Sequence, residues 1–299
     1  MQLNLTTKKN LKTGKRKMTE VTAEMVKELR ELTGVGMGKC KEALVLAEGD
    51  REKAVDILRK AGMTAAVKKE GRETKEGMIL AIEDSSAIAM IEANTETDFV
   101  AQNDRFKHFL HDCAKQALET KPESLEKFVE QSYFKDKSIT VEQLRNLTIQ
   151  SLGENIQIRR LQLIPKHENC SYGIYSHMGG KLLVIVEVEG SKTEETVARE
   201  IAMHIAAENP EYLKPDEVPP RVLSREEEIA RSQVQGKPEN IIEKIVASKV
   251  KAFVDQVTLI QQKYIKDTSM TVQQFLDAHA KKAGKSLSIR CFWRWKLGA

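Results

Sequence analysis

The sequence predicts an α+β chain built from several units, and three observations carry that reading. Apolar residues recur at helical spacing from Thr22 to Leu58 and again from Asp104 to Leu152. Between and after them stand apolar runs of strand length: Gly77 to Ile82, Ser86 to Ala93 and Leu182 to Val188. A hairpin followed by a helix occurs twice, which suggests two similar halves packed as one core. With 299 residues the chain exceeds one small domain.

Bulk composition narrows the class. Apolar residues at 40% and charged residues at 31% describe a globular, helix-leaning chain. A net charge of +4 is too mild to argue for nucleic acid without a clustered basic face. No apolar run reaches the length of a membrane-spanning helix. Cys40, Cys113, Cys170 and Cys291 are scattered with no C-x-x-C pair, which argues against a disulfide framework or zinc site and for a reducing, cytoplasmic setting. Residues 1–17 carry Lys8, Lys9, Lys12, Lys15, Arg16 and Lys17 and no acid. They lack the apolar core of a secretion signal and read as a disordered leader, or as an upstream start with Met18 as the true beginning.

In chain order, Thr22 caps the first helix, with Val21 and Val26 as a staple and Val26, Leu29 and Leu32 as its apolar face. The glycines Gly34, Gly36 and Gly38 break that helix. A second short helix follows to Ala47, and Asp50 caps a third carrying Ala54, Ile57 and Leu58. Residues 18–71 thus form a three-helix bundle with a charged linker around Gly71. The core's first half, 72–168, opens with a hairpin turning at Glu83-Asp84-Ser85. It continues with a helix bearing Phe106, Phe109, Leu110 and Cys113 on one face, two further helices, and a strand from Ile156 whose apolar phase shifts at Arg159-Arg160, the mark of a bulge or edge.

The second half, 169–218 and 265–287, repeats the plan with Gly173-Ile174-Tyr175, the strand from Leu182, and a helix from Glu194 to Ala207. Residues 219–264 form two helices joined at Gln235-Gly236-Lys237. The second has Ile242, Val246, Val250, Phe253 and Val257 near a heptad seam, which favours an antiparallel coiled-coil hairpin. Residues 288–299 read as a C-terminal strand or module in which Trp293 and Trp295 share one face, as core or as an aromatic platform.

Four places invite a functional reading. Asn94 to Ala101 joins a strand to a helix and presents Asp98 and Phe99 at the corner. From pattern alone the favoured reading has Phe99 and Val100 stapled under the helix start, with Asp98 a helix-start charge. "GVGMGKC" resembles a phosphate loop only in part: a Walker loop needs G-x-x-x-x-G-K-[ST] after a strand, whereas here a helix precedes and Cys40 ends the motif. Its glycines suit a tight turn and the close approach of a partner backbone. His108 and His111 beside Asp112 lack a further clear metal ligand. His177-Met178-Gly179-Gly180 lies in the second hairpin's turn, for which the glycines alone suffice.

"ETDFVAQND" resembles the hallmark segment of the elongation factor Ts family, guanine nucleotide exchange factors of the GTPase elongation factor Tu. "VTAEMVKELRELTGVGMGKCKEAL", "GENIQIRR", "HIAAENPEYL", "GKPENIIEKIVASKVKAF" and "IKDTSMTVQQFL" agree in the same order. The resemblance implies a ubiquitin-associated-like bundle that docks on the GTPase through Val35, Gly36 and Met37. It implies Mg²⁺ dislocation from the partner by Thr97, Asp98, Phe99 and Val100, and a contact by His177. It also implies a protruding coiled-coil hairpin, which leaves a homodimer through that hairpin open. The partner would be elongation factor Tu, both GDP-bound and nucleotide-free. The chain itself would need no cofactor, metal, membrane or nucleic acid and would perform no enzymatic chemistry. "CFWRWKLGA" departs from the family pattern and lacks its helical tail, so a contact made by that tail is in doubt. Two other classes stand against this reading. An RNA-binding accessory protein of translation would use the basic leader and the tryptophans for stacking. An enzyme would need a convergent polar constellation, and no such motif stands out.

Overall fold

The computed structural model describes residues 21–234 and 238–299. The predicted leader 1–17, the start at Met18 and the joint at Gln235-Gly236-Lys237 lie outside the described residues. The chain divides into two compact units.

The first unit comprises the described residues up to Glu70 together with Asn146–Gly153. Its helices are α1 (Ala23–Thr33), α2 (Met37–Leu46) and α3 (Arg51–Val67). Local chemistry sets their starts: Thr22 accepts from Met25 N at 3.2 Å and Asp50 accepts from Lys53 N at 3.1 Å, each satisfying an amide that the helix leaves free. Val26, Leu29, Val35, Cys40, Ala43, Leu44, Ala54 and Leu58 form one buried cluster. Leu32, expected on the same face as Val26, is instead 55% exposed. Six residues at 100° each carry it about 120° away from Val26 around the helix. Ser151 donates to Gly34 O at 2.7 Å, so a segment distant in sequence closes the unit.

In the second unit, β1 (Glu76–Glu83), β2 (Ala87–Thr95) and β5 (Ile156–Pro165) form one antiparallel sheet with β2 central. A second sheet has β6 (Cys170–His177), β7 (Leu182–Glu189) and β10 (Ser288–Lys296), with β7 central. Ile79, Ile88, Met90 and Ile164 of the first sheet meet Cys170, Tyr172, Leu183 and Ile185 of the second. Helices cover the outer faces. α5 (Asp104–Thr120) lies on β1 and β2. α8 (Glu195–Glu208) and α11 (Val272–Ala283) pack on the outer side of β7, on Val184, Val186 and Val188. The remaining elements are α4 (Asp98–Ala101), α6 (Leu125–Glu130), the small hairpin β3 (Ser132–Tyr133) and β4 (Asp136–Thr140), α7 (Val141–Leu152), α9 (Pro220–Ser232), α10 (Glu239–Val257), and the second small hairpin β8 (Lys263–Tyr264) and β9 (Asp267–Thr271). α9 and α10 pack on each other, with Ala230 and Val246 buried.

The duplication extends well beyond the hairpin and helix. From β3 to the end of β5 each residue has a counterpart 131 positions later: Tyr133 and Tyr264, Lys135 and Lys266, Asp136 and Asp267, Gly153 and Gly284, Arg159 and Arg290. The counterparts make the same bonds. Tyr133 and Lys135 donate to Asp112 on α5 at 2.6 and 2.7 Å. Tyr264 and Lys266 donate to Glu200 on α8 at 2.6 and 3.1 Å. Gly153 and Gly284, with φ of 84° and 64°, end α7 and α11 in the left-handed conformation that glycine tolerates. The bulge expected at Arg159-Arg160 is found where Glu92 faces Arg160 but Ala93 faces Ile158, and β10 repeats it at Arg290.

The first unit includes Asn146–Gly153, which the linear reading assigns to the core's first half. In residues 288–299, β10 pairs with β7 along Ser288–Lys296, giving the second sheet the third strand that β5 supplies to the first.

Gly173 on β6 marks the closest approach of helix and sheet. A Cβ there would stand 2.1 Å from Ala198 C and 2.2 Å from Arg199 N, backbone atoms of α8 that cannot rotate away. Gly173→Ala is expected to destabilise the second unit by about 3 kcal/mol, at the upper end of overpacking costs, read as a lowered urea midpoint. Buried His204 on α8 gives a pH dependence. Ile265 N donates to its Nδ1 at 3.2 Å, so Nε2 carries the proton and donates to Gln262 Oε1 at 2.9 Å. Burial pushes its pKa below the ordinary imidazole value, against the pull of Gln262 and Glu208. As pH falls through about 6.5 the unfolded chain takes the proton first, and stability is lost from there down to the lower folded pKa. Between about pH 7.5 and pH 5, His204→Gln should lose less stability than the native chain in urea titrations.

Candidate functional site

The corner after β2 is held by bonds from a distant segment. Thr97 caps α4, accepting from Val100 N at 3.4 Å. The Thr97 hydroxyl donates to Glu154 Oε1 at 2.6 Å and its backbone N donates to Glu154 Oε2 at 2.9 Å. Thr95 Oγ1 donates to Thr97 O at 2.7 Å, while Asn155 N donates to Glu96 Oε1 at 2.6 Å. Arg72 lies 3.4 Å from the Glu96 carboxylate, and Asn155 Nδ2 donates to Arg72 O at 3.0 Å. Residues 95–97 are thereby fixed from both sides before the chain reaches Asp98.

That frame presents its ring outward. Phe99 is 85% exposed, Asp98 is exposed and Val100 is half-buried, while Ala101 packs inward. The stapled reading therefore fails for Phe99, while Ala101 and Phe106 are buried. The second copy lacks this corner. Glu92 on β2 precedes Asp112 by 20 residues, whereas Glu187 on β7 precedes Glu200 by 13, so the first half carries seven additional residues in the stretch that includes α4.

The turn between β6 and β7 stands beside this corner. A Cβ on Gly179 would lie 3.3 Å from Gln102 Nε2, just past α4. Lys181, 2.8 Å from Glu76, is raised above its ordinary pKa by that carboxylate, with Asp98 adding a smaller attraction. His177 is exposed and its ring stacks on Tyr175 at 5.9 Å, with the Tyr175 hydroxyl 3.1 Å from Nδ1. Met178 is 68% exposed with φ of 51°, an apolar side chain held in solvent on a backbone conformation most residues avoid. Glycines alone account for the turn's geometry, so the sequence signals Met178 only by placing an apolar residue inside that turn. Glu154 was missed because its partner stands 57 residues away.

In the first unit the three residues of the loop before α2 differ. Val35 is fully buried in the bundle, so it offers backbone only. Gly36 is exposed and Met37 is 55% exposed. A Cβ on Gly36 or Gly38 would meet nothing within 4 Å, so the chain's own packing does not demand glycine there.

The other candidates find different employment. The carboxylate of Asp112 is taken by Tyr133 and Lys135, and no group of three or more potential ligands among the described residues could hold a metal. Trp293 and Trp295 are partly buried against the core between the sheets, and the Arg160 guanidinium lies 4.1 Å from the Trp295 ring centroid. Among the described residues no helix is long and apolar enough to cross a membrane.

A family model described as elongation factor TS matches residues 96–299. The elongation factor Ts of Protochlamydia amoebophila is 52% identical over 281 residues, 94% of this chain and all of that protein. Those of Chlamydia muridarum and Chlamydia felis are 44% and 42% identical over 282 residues, again 94% of this chain and all of each relative. A match over most of the chain and the whole of each relative, with the hallmark corner built and exposed, places this chain in the elongation factor Ts family.

Proposed function

We propose that this chain is a translation elongation factor that binds elongation factor Tu·GDP and promotes GDP release so that GTP can enter. A GTPase of that kind holds GDP through phosphate-loop amides, a lysine and Mg²⁺. Taking the ion away removes the largest local positive charge and leaves the phosphates poorly compensated. An exchange factor succeeds by binding the emptied state better than the loaded one, and nucleotide then weakens the factor's binding to the same extent. Shifting that balance by about 10⁴ takes roughly 5.5 kcal/mol of differential contact. One ring and one carboxylate fall short of this, so a broad interface contributes.

In this reading Phe99 is a wedge between partner elements that order the ion site. Asp98 competes for polar contacts there, and Thr97 and Val100 fix the corner. Gly36 and Met37, with the backbone of Val35, grip the GTPase, and His177 contacts it beside the corner. The bundle would be ubiquitin-associated-like, and α9 with α10 would form the family's coiled-coil hairpin. The ion and the nucleotide belong to the partner, and the chain does no chemistry of its own. The observation that carries the proposal is Phe99, 85% exposed on a corner whose approach is pinned by Glu154 and Asn155. An exposed ring on so fixed a mount has no task in the chain's own folding.

Phe99→Ala should leave stability within about 0.5 kcal/mol, as for other exposed positions. Release of a fluorescent GDP analogue from elongation factor Tu at equal factor concentration should slow by about tenfold or more, the loss of a buried aromatic contact. Release at the native rate would overturn the wedge role.

A further inference from the structure

Resting on the exchange reading of the corner, we propose that Glu154 is a positioning residue for Phe99: its carboxylate sets where the ring stands. α4 has four residues, too few to hold a conformation by its own hydrogen bonds, so its geometry comes from outside. Thr97 is the last residue before α4, and any rotation there moves Phe99 directly. A hydroxyl has one proton and two lone-pair positions. Donating the proton to Glu154 Oε1 turns the Thr97 lone pairs toward α4, where one accepts from Val100 N. The second carboxylate oxygen takes the Thr97 backbone N–H, so two bonds define the orientation and not merely the distance.

The other half of the molecule supplies an internal control. The counterpart of Glu154 is Lys285, each the first residue after the glycine that ends its helix. Lys285 Nζ donates to Ser191 Oγ, Thr193 Oγ1 and Glu194 Oε1 at 2.7, 2.9 and 2.8 Å, the corner between β7 and α8. The fold therefore latches both corners from the same position, with an acceptor where the corner offers donors and a donor where it offers acceptors. A carboxylate at 154 meets an N–H and an O–H together; an ammonium there would face the N–H with another donor.

The test is a double-mutant cycle in the full-length chain, read as release of the fluorescent GDP analogue from elongation factor Tu. Glu154→Ala should slow stimulated release by about tenfold, the scale of losing charge-assisted bonds, and Glu154→Gln, which keeps one acceptor, should fall between. In the Phe99→Ala background, Glu154→Ala should cost at most about twofold more, because the ring it places is gone. General loss of structure would slow both backgrounds alike, so the interaction between the two substitutions separates positioning from stability. If Glu154→Ala does not fold, Glu154→Gln carries the same cycle. If Phe99→Ala slows release while the Glu154 variants match the native chain, or if the two losses multiply in full, the positioning role is overturned and the wedge stands. If Phe99→Ala releases GDP at the native rate, the wedge fails and takes the positioning role with it.

Discussion

The second unit depends on two sheets pressing their inner faces together, Ile79, Ile88, Met90 and Ile164 against Tyr172, Leu183 and Ile185. Because α5 and α8 lie on the outer faces, the central strands β2 and β7 are buried on both sides. The packing also brings the halves into exchange. The second half's turn at Gly179 reaches the first half's corner at Gln102. At the opposite place the first half's turn, with Glu83 and Ser85, shares a cleft of about 460 Å³ with Lys192 and Glu195 of the second half's corner. The two places follow one plan and differ in content. One carries an exposed ring and an exposed methionine; the other is an open cleft lined by side chains of both charges.

The same packing sets a polar problem that each half solves separately. Glu92 and Glu187 occupy the central strands and are fully buried, which is costly for a charge without partners. Arg160 lies 2.7 Å from Glu92, and Gly298 N donates to it at 3.0 Å. At Glu187, burial would raise the carboxyl, but hydrogen bonds from Tyr172, Cys170, Cys291 and His167 outweigh it and hold the pKa below the ordinary range. Burial in turn pushes the thiol of Cys170 up to about 11 and that of Cys291 up to about 12. These cysteines remain protonated donors to Glu187 and are poor nucleophiles. The bulges at Arg159 and Arg290 stand beside the two acids. They turn the strand so that a side chain at position 160 or 291 reaches the buried carboxylate.

What could be read from the sequence follows the range of the interactions. Thr22 and Asp50 cap within three residues, and a cap written in adjacent residues is visible without the fold. The bulge at Arg159 was equally visible, because an edge strand must keep its apolar phase across an extra residue. Phe99 was not, since an aromatic at a helix start reads more readily as staple than as presented ring, and Glu154, which decides how it is held, lies 57 residues away. The repeat at 131 positions was present in "SYFKDKSITVEQ" and "KYIKDTSMTVQQ", yet α9 and α10 interrupt the second copy between α8 and β8 and break the spacing from the opening hairpin. Segments 21–70 and 146–153 join into one unit through contacts such as Ser151 with Gly34, which no local pattern announces.

The duplication also bears on how the corner came to differ from its counterpart. Both halves retain the acid on the covering helix, the tyrosine and lysine that bind it, and the latch after the terminal glycine. These are constraints of the shared fold. The seven additional residues between strand and helix are not, since the second half closes its corner without them. A short addition of this kind would ordinarily be loose, with its conformational freedom lost only on binding. Here the latch common to both halves fixes its first residue, so the ring is held in place without a partner. On the exchange reading, contact energy that would otherwise be spent ordering a loop remains available to separate the nucleotide-loaded partner from the empty one.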